Sequence, residues 1–177
     1  MNDPIADVWI QTYTGKRYYP LAPVKGDIDI EDISHALSLL CRFGGHIDRF
    51  YSVAEHCVLL SQWVDEKYAL SALLHDATEA YVVDVPRPLK FLLPEYRDLE
   101  SRAWEAITKK FHVDLVLPEQ VKEGDNRILI NERNKLMPRH EHWSIDDLVK
   151  PLPVDITGWS PDRAKQEYLK RFSELYD

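Results

Sequence analysis

Two imidazoles and two carboxylates, His56, His75, Asp76 and Asp125, fall where helical periodicity turns side chains inward. On a predicted helix over 52–66, His56 sits mid-arc among Val53, Cys57, Leu59, Leu60, Trp63 and Val64. A buried imidazole needs a partner, and taken alone a carbonyl would serve. On a predicted helix over 118–137, Asp125 is at the centre of the arc of Val121, Ile128, Leu129 and Leu136, with Glu132 beside it. A buried carboxylate must be paired or take up a proton. An Arg from another helix would satisfy either acid. On a third predicted helix, 67–81, His75, Asp76 and Glu79 share an arc with the small Ala72 and without Lys or Arg. A solvated acidic face is the plain alternative there.

Taken together, the three helices offer nitrogen and oxygen ligands for one divalent ion such as Zn, Mn, Fe, Co or Ni rather than Ca. Helix bundles hold metals in this way. Such an ion supplies the positive charge that two inward carboxylates require. A water or a phosphate oxygen could take an open position. Glu79, one turn beyond His75, projects beside the ligands, where a general base or water-orienting carboxylate belongs. Asp84 follows the helix and could reach the same cavity.

These residues need a scaffold. Residues 8–24 alternate around Thr14-Gly15 and predict a short β-hairpin. Asp29 is a candidate N-cap for a helix whose stripe is Ile30, Ile33, Ala36, Leu37 and Leu40. Ser52 and Glu55 have capping-box spacing ahead of the helix 52–66. Pro86 and Pro88 break the chain. Pro94 and Pro118 suit the first positions of helices to about 112 and 137. After a Pro-rich loop over 138–161, Ser160-Pro161-Asp162 starts a last helix. The reading is an all-α bundle with a small β ornament.

At 177 residues and 20.7 kDa, the chain fits one domain with a real core. Acids outnumber bases 30 to 22, a net charge of −8. That argues against a nucleic-acid polymer or an anionic membrane surface as partner. Cys41 and Cys57 lie in apolar helical patterns and read as buried free thiols. The N-terminal residues carry no signal-peptide pattern, and no apolar run could span a bilayer, so a cytoplasmic protein is expected. His35, His46, His112, His140 and His142 read as solvated or capping residues, and Tyr18, Tyr19, Trp63 and Trp104 as core or interface.

With those motifs assembled, the chain resembles the HD-domain phosphohydrolases. Their H…HD…D signature reads here as His56, His75-Asp76 and Asp125. The runs Cys41-Arg42-Phe43-Gly44-Gly45-His46, Tyr51 to His56, Leu74 to Tyr81 and Asp84 to Lys90 are similar to the compact phage and prophage branch. The resemblance covers roughly residues 10–137. It implies an HD-domain helical bundle spanning 1–177: a hairpin and arm over 1–28, a metal-binding core over 29–137, and a loop and helix over 138–177. It also implies a divalent metal (Zn, Co, Mn or Mg) and hydrolysis of a phosphate ester. Small bacterial relatives act as 5′-nucleotidases on deoxynucleoside monophosphates. Similar phage enzymes cut deoxynucleoside triphosphates, notably dATP, to nucleoside and triphosphate. The family's metal set falls on His56, His75, Asp76 and Asp125, its water activator on Glu79 and its downstream aspartate on Asp84. Its arginine falls on Arg42. Phe43 stands where the nucleotidases carry Trp.

Arg42, Lys90 and Lys122 are three cations near the expected site, more than one phosphate needs. The count leans towards a triphosphate substrate, with a 5′-nucleotidase as the alternative. A nucleotide-binding module without activity and a closed structural metal site are the rivals of other classes. By analogy, and from the number of aromatic residues, a homo-oligomer is expected.

Overall fold

In a computed structural model of the chain, residues 8–137, 139 and 141–176 are described. Residues 1–7 of the expected arm, and His140, lie outside the described residues. The fold is a helical bundle with one two-stranded antiparallel hairpin, β1 (Ile10–Gln11) and β2 (Arg17–Tyr18). The strands are shorter than the 8–24 alternation predicts. Asp32 accepts hydrogen bonds from the Thr14 N–H and hydroxyl, which ties the turn to the first helix.

That helix, α1 (Ile30–Leu39), begins where the sequence predicts, with the Asp29 carboxylate accepting the Glu31 N–H. The bundle centres on α2 (Val53–Trp63), whose residues Val53 to Val58 are all buried. One of its faces packs with α1, α3 (Glu66–Leu74), α6 (Pro94–Phe111) and α8 (Pro161–Leu175) around Leu37, Val58, Leu73, Ile107 and Tyr168. Its other face meets α7 (Glu119–Leu136) and the loop after it, around Leu60, Val121, Ile128, Leu152 and Ile156. His56 lies in the fully buried stretch of that helix, so it must be satisfied internally.

The structure corrects three expectations. The helix predicted over 67–81 is divided: α3 ends at Leu74, and α4 covers only Glu79–Val82. Between them the chain makes three-residue-spaced bonds, Ala77 N–H to Leu74 O and Glu79 N–H to Asp76 O. His75 Nδ1 donates to the Ala72 carbonyl at 2.7 Å. That carbonyl would accept Asp76 N–H in an unbroken helix, so the side chain competes with the ladder. The capping box is half made. Ser52 Oγ accepts the Glu55 N–H, but the Glu55 carboxylate turns to the backbone N–H groups of Thr157, Gly158 and Trp159. Pro118 caps α7 from outside rather than occupying its first turn.

After α4, Val83 turns the chain at φ +73, followed by the short α5 (Arg87–Lys90). A turn with Phe43 and Gly44 both left-handed lies at Arg42–Gly45, and a single 3-10 turn at Ser144–Asp147.

Candidate metal centre

The first turns of α2, the tight turn after α3 and the first half of α7 meet at one point. His56 Nε2 and His75 Nε2 stand 3.2 Å apart. Asp76 Oδ2 lies 3.6 Å from His56 Nε2 and 3.3 Å from His75 Nε2. Asp125 Oδ1 lies 3.3 Å and 4.0 Å from the same two atoms. Ligand atoms bound at ~2.1 Å to one ion stand ~3.0–3.4 Å apart at right or tetrahedral angles. Three of the five separations fall in that range, and the His56–Asp76 and His75–Asp125 distances, 3.6 and 4.0 Å, lie beyond it.

The protonation pattern points the same way. His56 Nδ1 donates to Glu132 Oε1 at 2.6 Å, and His75 Nδ1 donates to the Ala72 carbonyl. Each Nδ1 is thereby a donor, which leaves the two Nε2 atoms facing each other to hold either protons or a shared cation. The local field agrees. Burial opposes charge on His75, but Asp76 and Cys57 outweigh it and hold the imidazole well above its ordinary pKa. Burial and Arg42 oppose charge on His56, yet Glu132 and Asp125 raise it. Burial would raise Asp76 and Asp125, but the histidines hold both carboxyls below the usual range. A field that draws protons onto the imidazoles also draws a metal ion. His56 is fully buried and His75 nearly so, while Asp76 and Asp125 are partly open, so the cluster faces outward through its carboxylates.

Glu79 is buried at one side, and its Oε2 has no hydrogen-bond partner. Its Oε1 lies 3.7 Å from Lys90 Nζ, which is held by Glu100 at 2.6 Å. Burial, Asp76 and Asp84 hold Glu79 well above the ordinary carboxyl range. Asp84 is half-buried and raised by burial and by Asp76, against the pull of Arg42 and Lys90. The left-handed Val83 just before it is strained for a β-branched residue, and its carbonyl accepts the Tyr96 hydroxyl.

Arg42 is largely buried, with Nε and Nη2 donating to Glu132 Oε2 at 3.1 and 2.9 Å. Its Nη1 lies 3.5 Å from Asp76 Oδ2. Phe43 adopts φ +58 beside it, with its ring 6.5 Å from that of Trp143. Lys122 is exposed, pairs with Glu119, and lines a cavity of about 260 Å3 with His75, Arg87, Asp125 and Asn126.

Sequence reasoning left Arg87 without a role, although it lies in the same run as Asp84 and Lys90. It donates to Asp125 Oδ2 at 3.3 Å and to Asn126 Oδ1. Glu132 finds the partner its buried carboxylate calls for in Arg42, from another element. That it also holds His56 carried no sequence signal. Gly124 was missed as well: a Cβ there would meet Trp63 ring carbons at 2.8 and 2.9 Å and Leu60 closer still. The glycine lets α7 approach α2 next to Asp125.

No family model matches the chain. A 5′-deoxynucleotidase of Vibrio vulnificus is 26% identical over 112 residues, 60% of this chain and 46% of that protein. An uncharacterized protein of Rhodobacter capsulatus is 36% identical over 126 residues, 66% of this chain and 64% of that protein. The uncharacterized protein YfdR of Escherichia coli K12 is 38% identical over 169 residues, 94% of this chain and 95% of its own length. At that identity and with both chains almost wholly covered, the chain belongs to the same family as YfdR.

Proposed function

We propose that the chain is an HD-type, metal-dependent phosphohydrolase that cleaves the 5′-phosphate ester of a deoxynucleotide. One observation supports the reading: His56, His75 and Asp125 offer ligand atoms in one compact group, Asp76 adjoins both histidines, and the unpartnered Glu79 oxygen is buried near Asp76. His56, His75, Asp76 and Asp125 would hold the ion. Bound there, it would neutralise phosphate charge and acidify a water. Glu79 takes or orients the proton of the attacking water, with Lys90 steadying its second oxygen. As the water oxygen bonds to phosphorus, the bond to the 5′-oxygen breaks, and that oxygen must gain a proton. Asp84, whose carboxyl is raised by burial and by Asp76, would supply it. The turn at Arg42 and Phe43 would border the substrate.

Arg87 and Lys122 on the adjoining cavity favour a substrate with more than one phosphate, a dNTP split to deoxynucleoside and triphosphate. Adenine as the base comes from the family resemblance alone. The second reading, a 5′-nucleotidase acting on dNMP, draws on the likeness to the Vibrio protein. A panel of dNTP and dNMP in Zn, Mn, Co and Mg, with product identification, separates the two. Triphosphate from dNTP supports the first, and orthophosphate from dNMP the second. No turnover of either by metal-loaded protein contradicts both and leaves a nucleotide-binding module or a closed metal site.

A further inference from the structure

Glu132 is a fully buried carboxylate with two partners on different elements. Its Oε1 accepts from His56 Nδ1 at 2.6 Å, and its Oε2 accepts from Arg42 Nε and Nη2. It stands seven residues after Asp125 on α7, two turns and ~10.5 Å along the axis. Asp125 reaches His56 Nε2 from one end and Glu132 reaches Nδ1 from the other. Two carboxylates of one helix thus grip both nitrogens of one imidazole.

We propose that Glu132 is a positioning residue of the metal centre, fixing His56 as a neutral Nε2 ligand while holding Arg42 against Asp76. The inference rests on the metal-centre reading above. A carboxylate on Nδ1 selects the tautomer, locks the ring and makes Nε2 more basic. The same carboxylate balances Arg42, whose Nη1 lies 3.5 Å from Asp76. Without it, an uncompensated guanidinium would face the ion across one ligand. A purely structural ion pair would need Arg42 alone. The bond to His56 makes Glu132 part of the site.

The test is titration with Co2+ alone, followed by visible absorption, with thermal unfolding in parallel. Glu132→Gln removes the charge and leaves buried Arg42 with only the more distant Asp76 carboxylate as counter-ion, so it could fail to fold. The double variant Arg42→Gln/Glu132→Gln removes both charges and keeps hydrogen-bonding side chains. Because its net charge is unchanged, what it loses reports the contacts of Glu132 with His56 and of Arg42 with Asp76 rather than a change of charge. The expected result is Co2+ affinity lower by 10- to 100-fold in the double variant, with displaced absorption bands and cooperative unfolding. Wild-type affinity and spectrum in either variant would overturn the inference and leave the metal centre standing. Failure of the wild-type protein to bind Co2+ would overturn both. Absence of nucleotide hydrolysis by a protein that binds Co2+ would touch only the proposed function.

Discussion

Whether Cys57 or Asp125 completes the histidine cluster decides which ions it suits. Both groupings are compact: His56, His75 and Asp125, or Cys57, His75 and Asp76. Burial pushes the Cys57 thiol up to about 11, and His75 Nδ1, 3.9 Å from its sulfur, already donates to Ala72. A thiol that stays protonated at neutral pH is a poor ligand. Cys57→Ala should therefore bind metal like wild type in calorimetry, while costing about 1 kcal/mol for the small cavity left behind. In native protein, Cys57 should resist iodoacetamide at pH 8 and react only on unfolding. Asp125→Asn should lose the ion. A Cys57→Ala variant that binds no metal would move the centre to the other grouping.

Among the elements, Gly124 and Val83 carry the clearest consequences. Gly124→Ala would gain ~1 kcal/mol in helix propensity, but its methyl meets Trp63 and Leu60 in a packed seam. Overpacking costs about 1–3 kcal/mol, so denaturant unfolding should show a net loss of about 1 kcal/mol. Metal affinity should fall too, because α7 carries Asp125 away from His56. Val83 has the opposite sign. It is exposed and left-handed, so Val83→Gly relieves about 1–3 kcal/mol of strain against ~0.5–1 kcal/mol of lost chain entropy. Its Tm should rise. Asp29 adds a pH test. Burial works against its charge, but Lys16 and the Glu31 N–H hold its carboxyl below 3.8. A depressed carboxyl stabilises above its unfolded value and stops doing so as pH falls through its folded one. The Tm gap between wild type and Asp29→Ala should be full above pH ~4 and close below it. These elements also show how far sequence reading reaches. The starts of α1, α6 and α8 depend on caps and prolines within one turn, and each was legible. The break after Leu74 was not, because it hangs on a side chain bonding its own helix. The partners of Glu55 lie about a hundred residues away, and the seam at Gly124 exists only once two helices meet.

Across the whole molecule, an acidic chain of net charge −8 gathers Arg42, Arg87 and Lys90 around His56, His75 and the carboxylates of Asp76, Glu79, Asp125 and Glu132 among others. No helix among the described residues is long and apolar enough to cross a membrane. In the candidate cluster, the inward placement of His56 and Asp125 was legible because α2 and α7 are periodic, whereas His75 and Asp76 lie in the turn after α3. The cluster's supports, Glu132 and Arg87, were not legible, because pairing depends on how the elements pack. An ion that binds only the folded chain adds about 2.7 kcal/mol at a hundred times its Kd. For a chain of this size that raises Tm by about 5–10 °C, and a chelator should reverse it. In the proposed function, this centre and Glu79 together hydrolyse a phosphate ester. Deoxynucleotide turnover by wild type and Glu79→Gln, compared at equal, verified metal content, tests this. Glu79→Gln should keep its metal and lose about 10²- to 10⁴-fold in turnover. Equal turnover by the two proteins, or full wild-type turnover after the metal is stripped, would contradict it.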